Sequence, residues 1–185
     1  MVNYCLTCGL KLSNGIKKSK IPVEELSRQE EKFIRESNAI EREYSESAFE
    51  DACEAYKWAK ENMNSIIDVK YILKIHEILM KRLNKRIAGK IRDVDVYVGD
   101  KKMMSPEDLR FALRDWCISC YHNAEDVKQL HIWFEEIHPF QDGNGRTGRI
   151  LMNIQRLKIG LPILVIHEGE DQQKYYQWFK ENKNG

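Results

Sequence analysis

The sequence contains no apolar run of about eighteen residues, no secretory leader pattern and no internal repeat. It therefore reads as a soluble chain rather than a membrane span, an exported precursor or a solenoid, with the cytoplasm as its expected location. Charge of one sign is also missing, because 30 Lys and Arg against 29 Asp and Glu leave a net charge of +1. Without a basic surplus there is no field to gather nucleic acid or acidic lipid, so neither is an expected partner. Cysteine is sparse and odd in number, five in 185 residues, which argues for reduced thiols. Cys5-Leu-Thr-Cys8 has the spacing of half a zinc knuckle and Cys117 stands three before Cys120, so the two pairs could in principle form a four-thiolate site. The second pair extends the stripe Leu109, Ala112, Leu113 and Trp116, however, so core burial accounts for it and structural zinc is not expected.

At 42% hydrophobic, the chain can bury a full core without staples. Helical periodicity predicts elements over about 22–44, 46–63, 66–84, 106–122 and 125–137, with Ile150, Leu151, Ile154 and Leu157 marking a further one. One stretch breaks that pattern. Val94, Val96 and Val98 alternate as a strand, Gly99-Asp100 supplies a turn and Lys102–Met104 returns; Ser105-Pro106 then reads as the cap and first turn of the next helix. In the first helix Leu26, Phe33, Ser37, Ile40 and Tyr44 form the inward stripe, and Glu41 lies one turn beyond Ser37. A carboxylate beside an apolar face needs a cationic partner. The competing reading is an ordinary solvated glutamate, since Arg42 and Glu43 follow it. His76 and His131 lie on or beside apolar stripes and read as packed rather than ligating.

The chemistry concentrates in twelve residues, His138-Pro-Phe-Gln-Asp-Gly-Asn-Gly-Arg-Thr-Gly-Arg149, set between two helical patterns. Gly143 and Gly145 can take positive φ and carry no Cβ, so backbone N–H groups there can turn toward one anion. The N-terminus of the following helix adds its free amides and dipole. Arg146 and Arg149 lie three apart on that helix and can grip different phosphates. Asp142 offers hard oxygen suited to Mg²⁺, Asn144 can donate its amide to a phosphate oxygen, and His138 alone can take a proton near neutral pH. Singly, each residue has a structural explanation as a turn or a solvated helix face. Together they are the equipment for handling a nucleoside triphosphate.

His138–Arg149 resembles the signature of Fic domains, the Fic/Doc or Fido superfamily, at every fixed position of His-Pro-Phe-x-Asp/Glu-Gly-Asn-Gly-Arg-x-x-Arg. The resemblance implies an all-α helical bundle with a short β-hairpin flap. It also implies transfer of AMP from ATP to a Ser, Thr or Tyr hydroxyl of a target protein, with self-modification as a further outcome. The roles it implies are His138 as base, Asp142 on Mg²⁺, Gly143, Asn144 and Gly145 around the phosphates, and Arg146 and Arg149 on the outer phosphates. The hairpin resembles the flap that holds nucleotide and docks the target, with Val98, Gly99, Asp100 and Lys101 at its nucleotide-facing end. Tyr175 is implied at the adenine end, leaving Tyr176 as the core residue.

Ser37-Asn-Ala-Ile-Glu41 resembles the inhibitory motif Ser/Thr-x-x-x-Glu-Gly/Asn, whose glutamate pairs with the second motif arginine, here Arg149; Arg42 stands where Gly or Asn is usual. The implied organisation is an extension and linker over 1–20, an inhibitory helix region over 21–45 and a Fic core over 46–185. Gly143, Gly145 and Arg149 favour AMP transfer over the phosphorylating Doc branch. Removal of AMP, Doc-like phosphorylation and a nucleotide-responsive binding module remain the alternatives, although a mere binder needs no base at His138. Oligomeric state stays open, a homodimer included.

Overall fold

A computed structural model describes residues 25–122 and 126–181. Cys5, Cys8 and the linker expected over 14–20 lie outside the described residues. Among the described residues there are seven helices and one hairpin: α1 (Arg28–Ile40), α2 (Glu46–Glu61), α3 (Val69–Met80), β1 (Tyr97–Val98), β2 (Lys101–Lys102), α4 (Leu109–His122), α5 (Val127–Ile137), α6 (Asn144–Lys158) and α7 (Glu170–Glu181). None of these helices is long and apolar enough to cross a membrane.

The first helix is shorter than its periodicity suggests. It begins at a capping box, in which Ser27 Oγ accepts from the Glu30 amide while the Ser27 amide donates to Glu30 Oε2 at 2.8 Å. It ends at Ile40, because Arg42 takes a left-handed φ of 56° and the Arg42 and Glu43 amides fold back onto Ala39 and Asn38 carbonyls. Tyr44, expected on the inward stripe, is thereby carried out to 68% exposure. Ser45 and Asp68 cap α2 and α3 through their side chains. Ser105 does not cap α4: residues 106–108 form a separate turn, with the Asp108 amide on the Ser105 carbonyl, and the helix starts at Leu109.

The most extensive helix–helix packing is of α2 on α3 and of α5 on α6, with Phe33, Tyr56, Ile72, Ile75, Leu79, Trp116, Phe134 and Phe140 buried in the core. Each such side chain contributes on the order of 1.5–3 kcal/mol by leaving water. Cys117 and Cys120 are buried in this core, where burial pushes the Cys120 thiol pKa up. No group of three or more His, Cys, Asp or Glu suited to a metal occurs among the described residues.

The hairpin is smaller than the Val94–Met104 alternation implied. Only Tyr97↔Lys102 and Val98↔Lys101 pair, antiparallel, with Gly99 at φ 59° in a turn of two residues. An Asp95–Lys102 ion pair of 2.7 Å braces it.

Candidate nucleotide site

The stretch between α5 and α6 is held from four sides. His138 ends α5 in a left-handed conformation (φ 50°, ψ 61°), its amide donating to the Phe134 carbonyl. Its ring Nδ1 lies 3.3 Å from the Glu135 carbonyl oxygen, so with the proton on Nδ1 the other ring nitrogen, Nε2, is left as acceptor. Burial lowers the His138 pKa below the ordinary imidazole range, outweighing the opposing hydrogen bond to Glu135, so the ring is neutral at pH 7. Phe140 is buried with its ring stacked on His76, centroids 3.6 Å apart. His76 Nδ1 accepts from the Gly89 amide at 3.0 Å, which leaves the proton on Nε2 to donate to the Asp142 carbonyl at 3.0 Å. That arrangement requires a neutral ring, and burial pushes the His76 pKa down to about 4. The expectation of a packed histidine holds, with a bracing role added to it.

Asn144 faces the opposite way from its expected use. Its Oδ1 accepts from the Phe140 amide and its Nδ2 donates to the Phe140 carbonyl, both at 2.8 Å, so the side chain clips the loop shut instead of reaching outward for a phosphate. Gly143 has φ 78°, and a Cβ there would also press on Met80 Sδ. A Cβ on Gly145 would collide with Glu41 Oε1. The two glycines thus serve turn and close approach respectively.

The arginines differ in how they are satisfied. Arg146 is buried beside Met80 Sδ, 3.7 Å from Asp142 Oδ1, with Nε and Nη1 lacking any hydrogen-bond partner. Such donors are costly unless an anion completes them. Arg149 is 2% exposed and is held by α1 and its C-cap: Nε donates to Ser37 Oγ at 2.9 Å, and Nη2 to the Ser37 carbonyl at 2.9 Å and to Glu41 Oε1 at 2.8 Å. Two motifs more than a hundred residues apart in sequence therefore meet, and the solvated-glutamate alternative fails. Asn38, also buried, shares a crevice with Ser37 and Arg146, and its side-chain amide has no partner. The Asp142 side chain stays 65% exposed, accessible to a cation.

The tyrosine pair is the reverse of expectation in burial. Tyr175 is 3% exposed and shares a 2.9 Å hydrogen bond with His131 Nε2, with Arg149 Cζ 5.9 Å from its ring; Tyr176 is 43% exposed. Burial drives the His131 pKa down to about 3, so this ring too is neutral. Val98, Gly99, Asp100 and Lys101 stand exposed on the hairpin. What fastens the hairpin's base to the loop is a residue that sequence reading passed over. Buried Arg92 donates through Nε to the His138 carbonyl and through Nη1 to the Val94 carbonyl, both at 2.8 Å, and through Nη2 to the Met104 carbonyl, while its amide donates to the Pro139 carbonyl. A lone arginine before an alternating run carries no signal of such a role; Met80, beneath Gly143 and Arg146, carries none either.

An all-helical bundle with a small hairpin tied to a glycine-turned interhelical loop is the class this architecture defines. The family model described as the Fic/DOC family matches residues 66–155, and a Fic domain is present in this chain. The chain is 33% identical over 126 residues to the Protein adenylyltransferase Fic of Nematostella vectensis and 32% identical over 131 residues to that of Aedes aegypti. Those matches take in 64% and 67% of this chain but 29% and 26% of the two relatives, so the chain spans less than a third of their length. The fold is shared with Fic-1 (aa134–508) from C. elegans at a TM-score of 0.68 and 20% identity, over 91% of this chain and 60% of that one.

Proposed function

We propose that this chain is a protein adenylyltransferase that moves AMP from ATP to a hydroxyl of a target protein, itself included, and that Glu41 restrains it. The observation that carries the reading is one braced loop that presents a neutral His138 with a free ring nitrogen and leads into a helix carrying two buried guanidiniums, one of which has unfilled donors. Similarity to proteins named adenylyltransferases supports it. In this mechanism His138 Nε2 takes the proton of the acceptor hydroxyl as its oxygen forms a bond to the α-phosphorus and the α–β phosphoanhydride bond breaks, releasing pyrophosphate. Arg146 and Arg149 hold the outer phosphates, with backbone amides of 143–145 around them and the hairpin residues 98–101 at the nucleoside and target side, while buried Tyr175 acts from behind Arg149. Glu41 takes the Arg149 fork that a γ-phosphate needs, which is the restraint.

A Mg²⁺ ion fits the donors present: one exposed carboxylate, Asp142, with the remaining positions left to phosphate and water, as suits an ion that keeps its hydration. Bound there, it would neutralise phosphate charge. A cytoplasmic location goes with the reading. Separate incubations with α-labelled and γ-labelled ATP, on wild type and Glu41→Gly, test it. Label from the α-phosphate alone is the expected result, and label from the γ-phosphate alone would replace AMP transfer with phosphorylation.

A further inference from the structure

One buried carboxyl is unused by that mechanism. Glu135 of α5 aims its side chain at the backbone of α6, close enough that a Cβ on Gly148 would collide with its Oε1, and that oxygen is buried with no hydrogen-bond partner. A Cβ on Gly145, three residues earlier on α6, would meet Arg149 Nη1 at 2.9 Å and collide with Glu41 Oε1, so both carboxyl groups and the guanidinium lie against the same turn of α6. The three hydrogen bonds that Arg149 donates to Ser37 and Glu41 come from α1 and its C-cap. If α1 withdraws, they go together, and a guanidinium left in a dry site without a counter-charge is strongly unfavourable.

We propose that Glu135 is the standing counter-ion of Arg149, carrying a proton while a second anion occupies that guanidinium and ionising when the anion leaves. One positive charge compensates one carboxylate, so two carboxyl groups around Arg149 share a proton between them. Burial holds the Glu135 carboxyl up at about 7, with Arg149 pulling it down and Glu41 pushing it further up. The other titratable neighbours are quiet across neutral pH. His131 on α5 is held neutral near 3, Tyr175 on α7 is pushed upward by burial, and His138 is lowered by its own burial. Glu135 is therefore a positioning residue: it lets Glu41 leave without stranding Arg149, and it couples occupancy of that arginine to a proton.

The Glu41 half of this proposal stands on the geometry alone, whereas its extension to ATP rests on the adenylyltransferase reading. The first test follows the Glu135 side-chain carboxyl by ¹³C NMR from pH 4 to 9, in wild type and in Glu41→Gly. A midpoint at least about half a pH unit lower in Glu41→Gly is expected, equivalent to a roughly threefold change in proton affinity. Equal midpoints overturn the proposal, and this arm needs no substitution at Glu135. The second test titrates Glu41→Gly with ATP and with ADP near pH 7 in two buffers of different ionisation enthalpy. Proton uptake with ATP that exceeds that with ADP and vanishes in Glu41→Gly/Glu135→Gln is expected; uptake unchanged by Glu135→Gln overturns the coupling. Absence of ATP binding removes the nucleotide reading and the ATP extension, while the carboxyl titration still decides the Glu41 half.

Discussion

Two turns in this molecule demand left-handed backbone, and they meet the demand differently. The turn that opens α6 uses Gly143, which adopts φ 78° without a Cβ penalty, and side chains from three parts of the chain brace the loop around it: His76, Arg92 and Asn144. The turn that closes α1 places Arg42 at φ 56°, a conformation that costs an L-residue roughly 1–2 kcal/mol, and its Glu41 remains 40% exposed on the side chain. The first turn is built to stay put. The second is tied to α6 through Ser37 and Glu41 on one arginine. Under the proposed function the first is machinery and the second a restraint to be released, and substitutions on the two sides should then differ accordingly.

The largest effect belongs to the braced side. His138→Ala should lower AMP transfer by roughly 10²–10⁴-fold while nucleotide affinity stays within a few-fold, measured by label incorporation and by ATP titration. Persistence of the wild-type rate would remove His138 as base. The bracing itself should show in stability. His76 is neutral in the fold at a pKa of about 4, depressed from 6.5, so its contribution is full above about pH 6.5 and fades as pH falls toward 4. The loss amounts to at most roughly 3 kcal/mol, and His131 acts in the same direction. Melting curves across that range check it, together with imidazole resonances. A His76 ring that protonates near 6.5 would show that the loop is looser than its hydrogen bonds imply.

On the releasable side, the Glu41–Arg149 pair of 2.8 Å is a charge-assisted contact, in the class that contributes roughly 1.5–3 kcal/mol. Glu41→Gly should therefore raise transfer by about one to two decades, with self-modification first, and Arg149→Ala in that background should cancel the gain. Unchanged incorporation would make the pair a structural contact only. The smallest effect sharpens the contrast most directly. Arg42→Gly relieves the left-handed strain at the end of α1 and should stabilise the protein by about 1 kcal/mol, seen as a melting point a few degrees higher. It should also reduce residual transfer by up to about fivefold, since 1 kcal/mol is roughly that factor. Faster transfer in Arg42→Gly would mean the turn does not support the restraint.

Much of the site was legible because its residues are local in sequence. A loop of twelve residues carries base, carboxylate, glycines and arginines in register, and helical spacing alone sets Arg146 and Arg149 on neighbouring turns. The Ser37–Glu41 spacing likewise put the serine and the glutamate one turn apart, ready for one partner. Other elements were illegible for reasons that are equally physical. Adjacent helical residues differ by about 100° in direction, so the Lys-Tyr-Tyr run leaves undecided which tyrosine is buried until α7 meets His131. The alternation from Val94 to Val98 could not show that only two residues on each side would pair, since a ladder needs a partner strand as well as a pattern.

Periodicity, capping residues and turn glycines are near-neighbour properties, and they were enough to set six of the seven described helices, the hairpin's existence and the composition of the loop. Burial, charge compensation and close approach depend on segments brought together from far apart. Those decided that Asn144 clips the loop, that Arg92 ties the hairpin to His138, that Gly145 and Gly148 lie beneath Glu41 and Glu135, and that Glu41 pairs with Arg149. A side chain's partners are set by whatever backbone the fold lays beside it, and no spacing along the chain encodes that distance.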